Sequence, residues 1–179
     1  MKRILPLLIV AICLTSFKTI TYVVDIYPPT ADMFSGTWKH QSGQEVFIVS
    51  LWRTAQGYRG HYKKITVDAK GNQISVVYDS NKPIGNTTTT WPYVIYAGNA
   101  SPQNEIGGIV TDNTVTNTPN AGGFIDGYLA MKVLNPKCFT PPNNSCTLQA
   151  QWIVKKRQGL QHPDDPNFNI PTNIVLMKE

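Results

Sequence analysis

The chain has 179 residues, and 16 Lys and Arg against 11 Asp and Glu give a net charge of +5 and a pI near 9.1. Charged residues make up 15% of it, below the usual globular share of about 25%, while 41% are hydrophobic, so wholesale disorder is excluded. No apolar run reaches the roughly 18–20 residues of a spanning helix, so a polytopic helical membrane protein is excluded too, and the length fits one domain of the common size of about 100–150 residues or slightly more.

The chain opens on Lys2 and Arg3, followed by an unbroken apolar stretch from Ile4 to Leu14 that carries Pro6. A positive start followed by a short apolar run reads as an export signal rather than a buried helix, since it has no polar face. The signal is expected to cover residues 1–21, with the cut falling between 17 and 22. A lipid attached at Cys13 is the competing reading. Ile12 opposes it, because the lipoprotein peptidase prefers a small residue directly before the Cys. Lys2, Arg3 and Lys18 belong to this segment, so the mature domain, 22–179, holds 13 cations against 11 acids, a net of +2. The basic pI therefore gives little support to a nucleic-acid partner.

Period-two alternation governs the chain from residue 34, as expected where successive side chains point to opposite faces of a sheet. Strands are expected over 34–40, 44–53, 58–67, 73–79, 91–97, 106–112, 123–134, 146–156 and 173–178. The segment 44–53 is apolar on both faces and should be covered on both sides or line a cavity. Gln41–Ser42–Gly43 and the stretch from Asp68 to Asn72 are read as hairpin turns, with Gly71 supplying a positive φ. Residues 97–123 read as a polar excursion around one weak strand, with Gly107–Gly108 and Gly122–Gly123 as strand ends or bends. Residues 158–172, with Pro163, Pro166 and Pro171, form a second long connection. The fold expected is all-β, a single antiparallel meander closing into a barrel of about 8–10 strands, because closure removes sticky sheet edges.

Cys138 and Cys146 bracket a loop rich in Pro and Asn. In an oxidising compartment such a pair persists as a disulfide, and closing so short a loop is worth about 2–3 kcal/mol in the chain-entropy model. Catalytic signals are sparse. Asp112 and Asp126 are a loose acid–base candidate, and only three Glu exist (Glu45, Glu105, Glu179). No Gly-x-Ser-x-Gly elbow or phosphate-cradling Gly loop occurs. His40 and His61 could meet on adjacent strands, but spacing places no third metal ligand. The run from His162 to Pro166 lacks the regular oxygen ligands of a calcium loop. Neither metal nor cofactor is expected. Lys155–Lys156–Arg157 reads as a solvated strand end. Sequons stand at Asn86, Asn99 and Asn143, and matter only in a eukaryotic host. Trp38, Trp52, Trp91, Trp152 and eight Tyr suit either a core, a greasy cavity or a surface for stacking sugars.

Met33–Phe34–Ser35–Gly36–Thr37–Trp38–Lys39 resembles the opening of lipocalin-like barrels, where a Gly-x-Trp begins the first strand. The end from Asn173 to Glu179 resembles their last strand. The resemblance implies that Trp38 closes one barrel end beneath a late-strand cation, here Lys156 or Lys178. The mature chain also resembles a group of short secreted flavobacterial (Bacteroidota) proteins of unknown function. The shared features are the Phe-Ser-Gly-Thr-Trp start, the aromatic strand of Tyr58 and Tyr62, the Asp-x-x-Gly-Asn turn, the late Cys loop and the final strand. The function expected is that of an exported, monomeric, non-catalytic barrel, secreted or periplasmic, that binds a small hydrophobic or glycan-type ligand. The alternative is a secreted structural or interaction module with a filled barrel and no ligand.

Overall fold

The computed structural model describes residues 32–99, 103–115, 123–139, 146–157 and 167–179. The expected export segment with Cys13, the Asn143 sequon and the loop from His162 to Pro166 lie outside these residues. Nine strands occur among the described residues: β1 (Gly36–Ser42), β2 (Glu45–Thr54), β3 (Gly57–Val67), β4 (Gln73–Asp79), β5 (Ile95–Asn99), β6 (Glu105–Asp112), β7 (Ile125–Val133), β8 (Gln149–Lys156) and β9 (Asn173–Lys178). Every pairing between them is antiparallel. Eight close a ring in the order β1-β2-β3-β5-β6-β7-β8-β9, with β9 returning to β1, and β4 stays outside. The all-β, closed-barrel expectation holds, and the architecture is consistent with a lipocalin-like barrel.

The departure from a pure meander is β4. At 11 residues β3 is long enough to carry two partners on one edge. β4 pairs with Lys63–Val67 and β5 with Tyr58–Gly60. Two register shifts interrupt the β3–β4 ladder, at Lys64/Ile65 and at Thr66/Val67, and bulges of this kind bend a strand away from its sheet. β4 accordingly exposes Ile74, Val76 and Val77.

Alternation sends one residue set inward. Trp38, Phe47, Val49, Leu51, Tyr62, Val110, Leu129, Met131, Trp152 and Leu176 form one buried cluster inside the ring. β2 is covered on both faces over its first half, where Val46 and Ile48 form a second buried cluster with Ile65 and Val67 of β3, while Trp52 on the same outer face stays exposed. Two glycines are needed where they stand. Gly71 sits at φ 83° in the β3–β4 turn, where Asp68 Oδ1 accepts from the Lys70 and Asn72 amides at 2.8 Å each. Gly108 is not at a strand end as its sequence suggested. It lies within β6, where an added Cβ would stand 2.0 Å from the Tyr96 carbonyl oxygen of β5. The stretch expected to hold one weak strand thus supplies a full member of the ring, admitted by a residue without a side chain.

Candidate functional site

Among the described residues the centre of the barrel is packed. Trp38, Val49, Ile106, Val110, Met131, Val133, Trp152 and Leu176 are all 0% exposed, so no cavity wide enough for a water sphere opens onto them. Phe47 packs against Tyr62 and against Trp152, with ring centroids 6.0 Å apart in each pair. A greasy cavity at the centre of the ring is therefore not where these aromatics lead.

One end is closed by the segment before β1. Asp32 accepts from the Phe34 amide (3.1 Å), the Ser35 amide (3.0 Å) and the Tyr58 hydroxyl (3.0 Å), and also holds the Ser35 hydroxyl. Burial tends to raise the Asp32 carboxyl, but these hydrogen bonds outweigh it and hold the group below the ordinary value. Burial and the Asp32 charge push the Tyr58 phenol up to about 12. Trp38 Nε1 donates to the Phe34 carbonyl at 2.7 Å. Of the two cations that the resemblance offered, Lys178 is the one at Trp38: its Nζ lies 5.6 Å from the ring centroid and donates to the Met33 carbonyl at 3.0 Å. Lys156 stands at the far end of β8, opposite Gly127. The Cys138–Cys146 disulfide is formed, and the short 3-10 helix Pro136–Phe139 brings Phe139 to 5.7 Å from Lys178 Nζ. A surface pocket of about 390 Å³ lies here, but its cation, Lys178, is already committed.

The opposite end is closed by polar groups. Asp112 is 0% exposed at the end of β6. Its Oδ1 accepts from Tyr62 Oη (2.8 Å), the Thr114 amide (3.0 Å) and Thr114 Oγ1 (2.7 Å), and its Oδ2 from the amides of Asn169 (2.7 Å) and Ile170 (3.2 Å). Five donors satisfy this carboxylate, as burial of a charge demands. Burial and the Asp112 charge hold the Tyr62 and Tyr78 phenols well above the ordinary tyrosine value, so both stay neutral donors. Asp126 lies across from Thr111 and accepts from its hydroxyl at 2.7 Å. The loose acid–base pair is thus not assembled: Asp112 is bound inward and Asp126 is engaged elsewhere. The two histidines are not paired either. His40 Nδ1 meets the Val175 carbonyl (2.9 Å) and His61 Nδ1 meets Ser80 Oγ (3.2 Å). No cluster of three His, Cys, Asp or Glu side chains suited to a metal occurs among the described residues.

Above this polar floor lies a pocket of about 400 Å³, within the common range of small-ligand sites, about 300–1,000 Å³. Lys82, Pro83, Gly85, Trp91, Asn113, Val115 and Gly123 line it. Trp91 is held edge to face by Phe124, centroids 5.7 Å apart. Asn113 is 1% exposed, and its Nδ2 donates to the Ser80 carbonyl at 2.8 Å, which fixes the amide's orientation. Its Oδ1 is buried with no hydrogen-bond donor among the described residues. An unpaired buried acceptor costs about 1–3 kcal/mol, so its presence calls for a reason.

Sequence reasoning missed Asn113, because one Asn at a strand end carries no local signal. Trp91 was within reach, as one of four Trp, but nothing in the sequence separates a pocket ring from a core ring. The comparisons add no relative: no family model, no curated protein and no solved structure matches this chain.

Proposed function

We propose that this protein is an exported, non-catalytic barrel that binds a glycan-type ligand at the pocket of Trp91 and Asn113, outside a filled core. The observation that carries the reading is the orphaned Asn113 Oδ1 of a pocket that the half-buried Trp91 also lines. A saccharide offers what these two groups lack: a hydroxyl donor for the acceptor and an apolar C–H face for the ring. Lys82 supplies a donor at the same rim. The filled core speaks against a small hydrophobic ligand inside the ring. The disulfide is compatible with an extracytoplasmic site, and no helix among the described residues is long and apolar enough to cross a membrane.

The test is a titration of a saccharide panel, monomers to hexamers of neutral and uronate sugars, against the wild type, Trp91→Ala and Asn113→Leu. Binding that both substitutions weaken at least tenfold is expected. A panel that binds nothing would sink the reading and favour the second one, a secreted structural or interaction module without a ligand, which the filled core also suits.

A further inference from the structure

Two residues beyond Trp91, Tyr93 lies against Arg59 of β3, which stands between Trp52 of β2 and Tyr96 of β5. Trp52 is opposite Arg59, and Arg59 is opposite Tyr96, so these three stand in one row across adjacent strands. Strands lie about 4.8 Å apart, so the outer two of this row stand about 10 Å apart at the backbone. Trp52, Tyr93 and Tyr96 are 38%, 38% and 45% exposed, whereas Arg59 between them is only 4% exposed.

A buried arginine on an outer wall needs an account, since this side chain is almost never fully buried unpaired. Its guanidinium carbon lies 3.7 Å from the Tyr96 ring centroid and 5.0 Å from that of Tyr93. Arg59 Nη1 donates to the Tyr58 carbonyl (2.8 Å) and Nη2 to Gln56 Oε1 (3.2 Å). The cation thus serves as a fixed seat that holds two tyrosine rings in place with their far sides open. His61 extends the surface beside Trp52, its ring 5.7 Å from that of Trp52. Ser80 ties the two regions together, its Oγ meeting His61 and its carbonyl holding Asn113.

We infer that Trp52, Tyr93 and Tyr96, seated on Arg59, form an extended stacking track continuous with the rim pocket, and that the ligand is an oligosaccharide rather than a single sugar. This rests on the glycan reading of the pocket. From Trp91 to Tyr96 the chain advances five residues, at most about 18 Å fully extended, which is the reach of a few pyranose rings. The outward side chains beside the rings are polar, Ser50, Gln56 and His61, and the outward aliphatic cluster of β2 and β3 lies at their other ends, already buried. The exposed part of three rings, each of about 150–250 Å², comes to roughly 250 Å², well short of the about 800 Å² per partner of a stable protein interface. An oligosaccharide, which stacks ring by ring, needs no more.

The experiment compares chain lengths. Two-unit and six-unit members of each sugar series that binds are titrated calorimetrically against wild type, Trp52→Ala, Tyr96→Ala and Trp91→Ala, with circular dichroism checking each fold. The six-unit probe is expected to bind about tenfold or more tighter than the two-unit probe. Trp52→Ala and Tyr96→Ala should remove that advantage while leaving two-unit binding unchanged, and Trp91→Ala should weaken both. Equal affinity for both lengths, or six-unit binding indifferent to Trp52 and Tyr96, overturns the track while the pocket reading stands. No saccharide binding at all overturns both. Adhesion to phosphatidylcholine vesicles that Trp52→Ala abolishes, with no gain from chain length, would assign the rings to a membrane and also overturn the track.

Discussion

The two barrel ends solve one problem with opposite chemistry. At the Trp38 end a tryptophan, a lysine and a disulfide come together, and the polar atoms there find partners: Lys178 on the Met33 carbonyl, Trp38 on the Phe34 carbonyl, Tyr58 on Asp32. At the Asp112 end a buried carboxylate gathers five donors, and one residue further along the chain an acceptor is left without a donor among the described residues. Both ends have a pocket of similar size, about 390 and about 400 Å³. Volume therefore does not distinguish them. What does is unspent hydrogen-bonding capacity, because a ligand gains only from groups that folding has not already satisfied.

The largest expected effect tests whether the Trp38 end is structural. Trp38→Ala should cost about 3–5 kcal/mol of unfolding free energy, the usual range for emptying a fully buried tryptophan site. Urea unfolding measures it, and saccharide binding at the far pocket should survive wherever the protein stays folded. A loss under 1 kcal/mol would show that the ring does not depend on this closure. Asp112→Ala should cost somewhat less, about 2–4 kcal/mol, because it strands buried donors instead of opening a large void. It should also weaken ligand binding, since Asn113 follows Asp112 directly. Stability lost with binding intact would uncouple the polar floor from the pocket. Replacing Cys138 and Cys146 by Ser together should cost about 2–3 kcal/mol through the chain-entropy term, with no effect at the Asp112 end. Hydrogen exchange around Thr114 and Asn169 checks the second half of that expectation.

The fold was legible where alternation was strict. β7 and β8 have one buried and one wetter face, and their registers follow from that. β2, apolar on both faces, announced a strand with two covered sides, and its first half has them, while Trp52 stays exposed. Where each strand pairs was less legible. Nothing local says that β4 leaves the ring and β5 takes its place, because that choice depends on the length of β3 and on bulges that exist only in the paired state. The site was largely illegible for the same kind of reason. Trp52, Trp91 and Trp152 look alike in sequence, yet one lies on the wall, one at a rim and one at the centre. Arg59 becomes a seat for two rings only when β5 is laid beside β3, 37 positions downstream at Tyr96.

The smallest effect sharpens the comparison by pH. The folded state holds the Asp32 carboxyl below its ordinary value of 3.8, so the stability it contributes is present above that pH and is lost as pH falls through the folded value. Tyr58, its donor, has the opposite sign. Its phenol is raised from 10.0 to about 12, so its contribution is complete below pH 10 and is lost as pH rises from there toward about 12. The Asp32–Tyr58 contact should therefore hold across the neutral range and loosen at both extremes. Tyr58→Phe removes the donor and the titrating group at once. Its urea midpoint should fall below wild type near neutrality, and the gap should narrow between about pH 10 and about pH 12, as the wild type begins to lose what the variant never had. Tyr62 and Tyr78, also raised, keep their own alkaline loss in both proteins, so the difference between the two curves isolates the Trp38 end. A constant gap across that window would mean that Tyr58 contributes packing alone. The closure of that end would then rest on Trp38, Lys178 and the disulfide, without the hydrogen bond that ties it to Asp32.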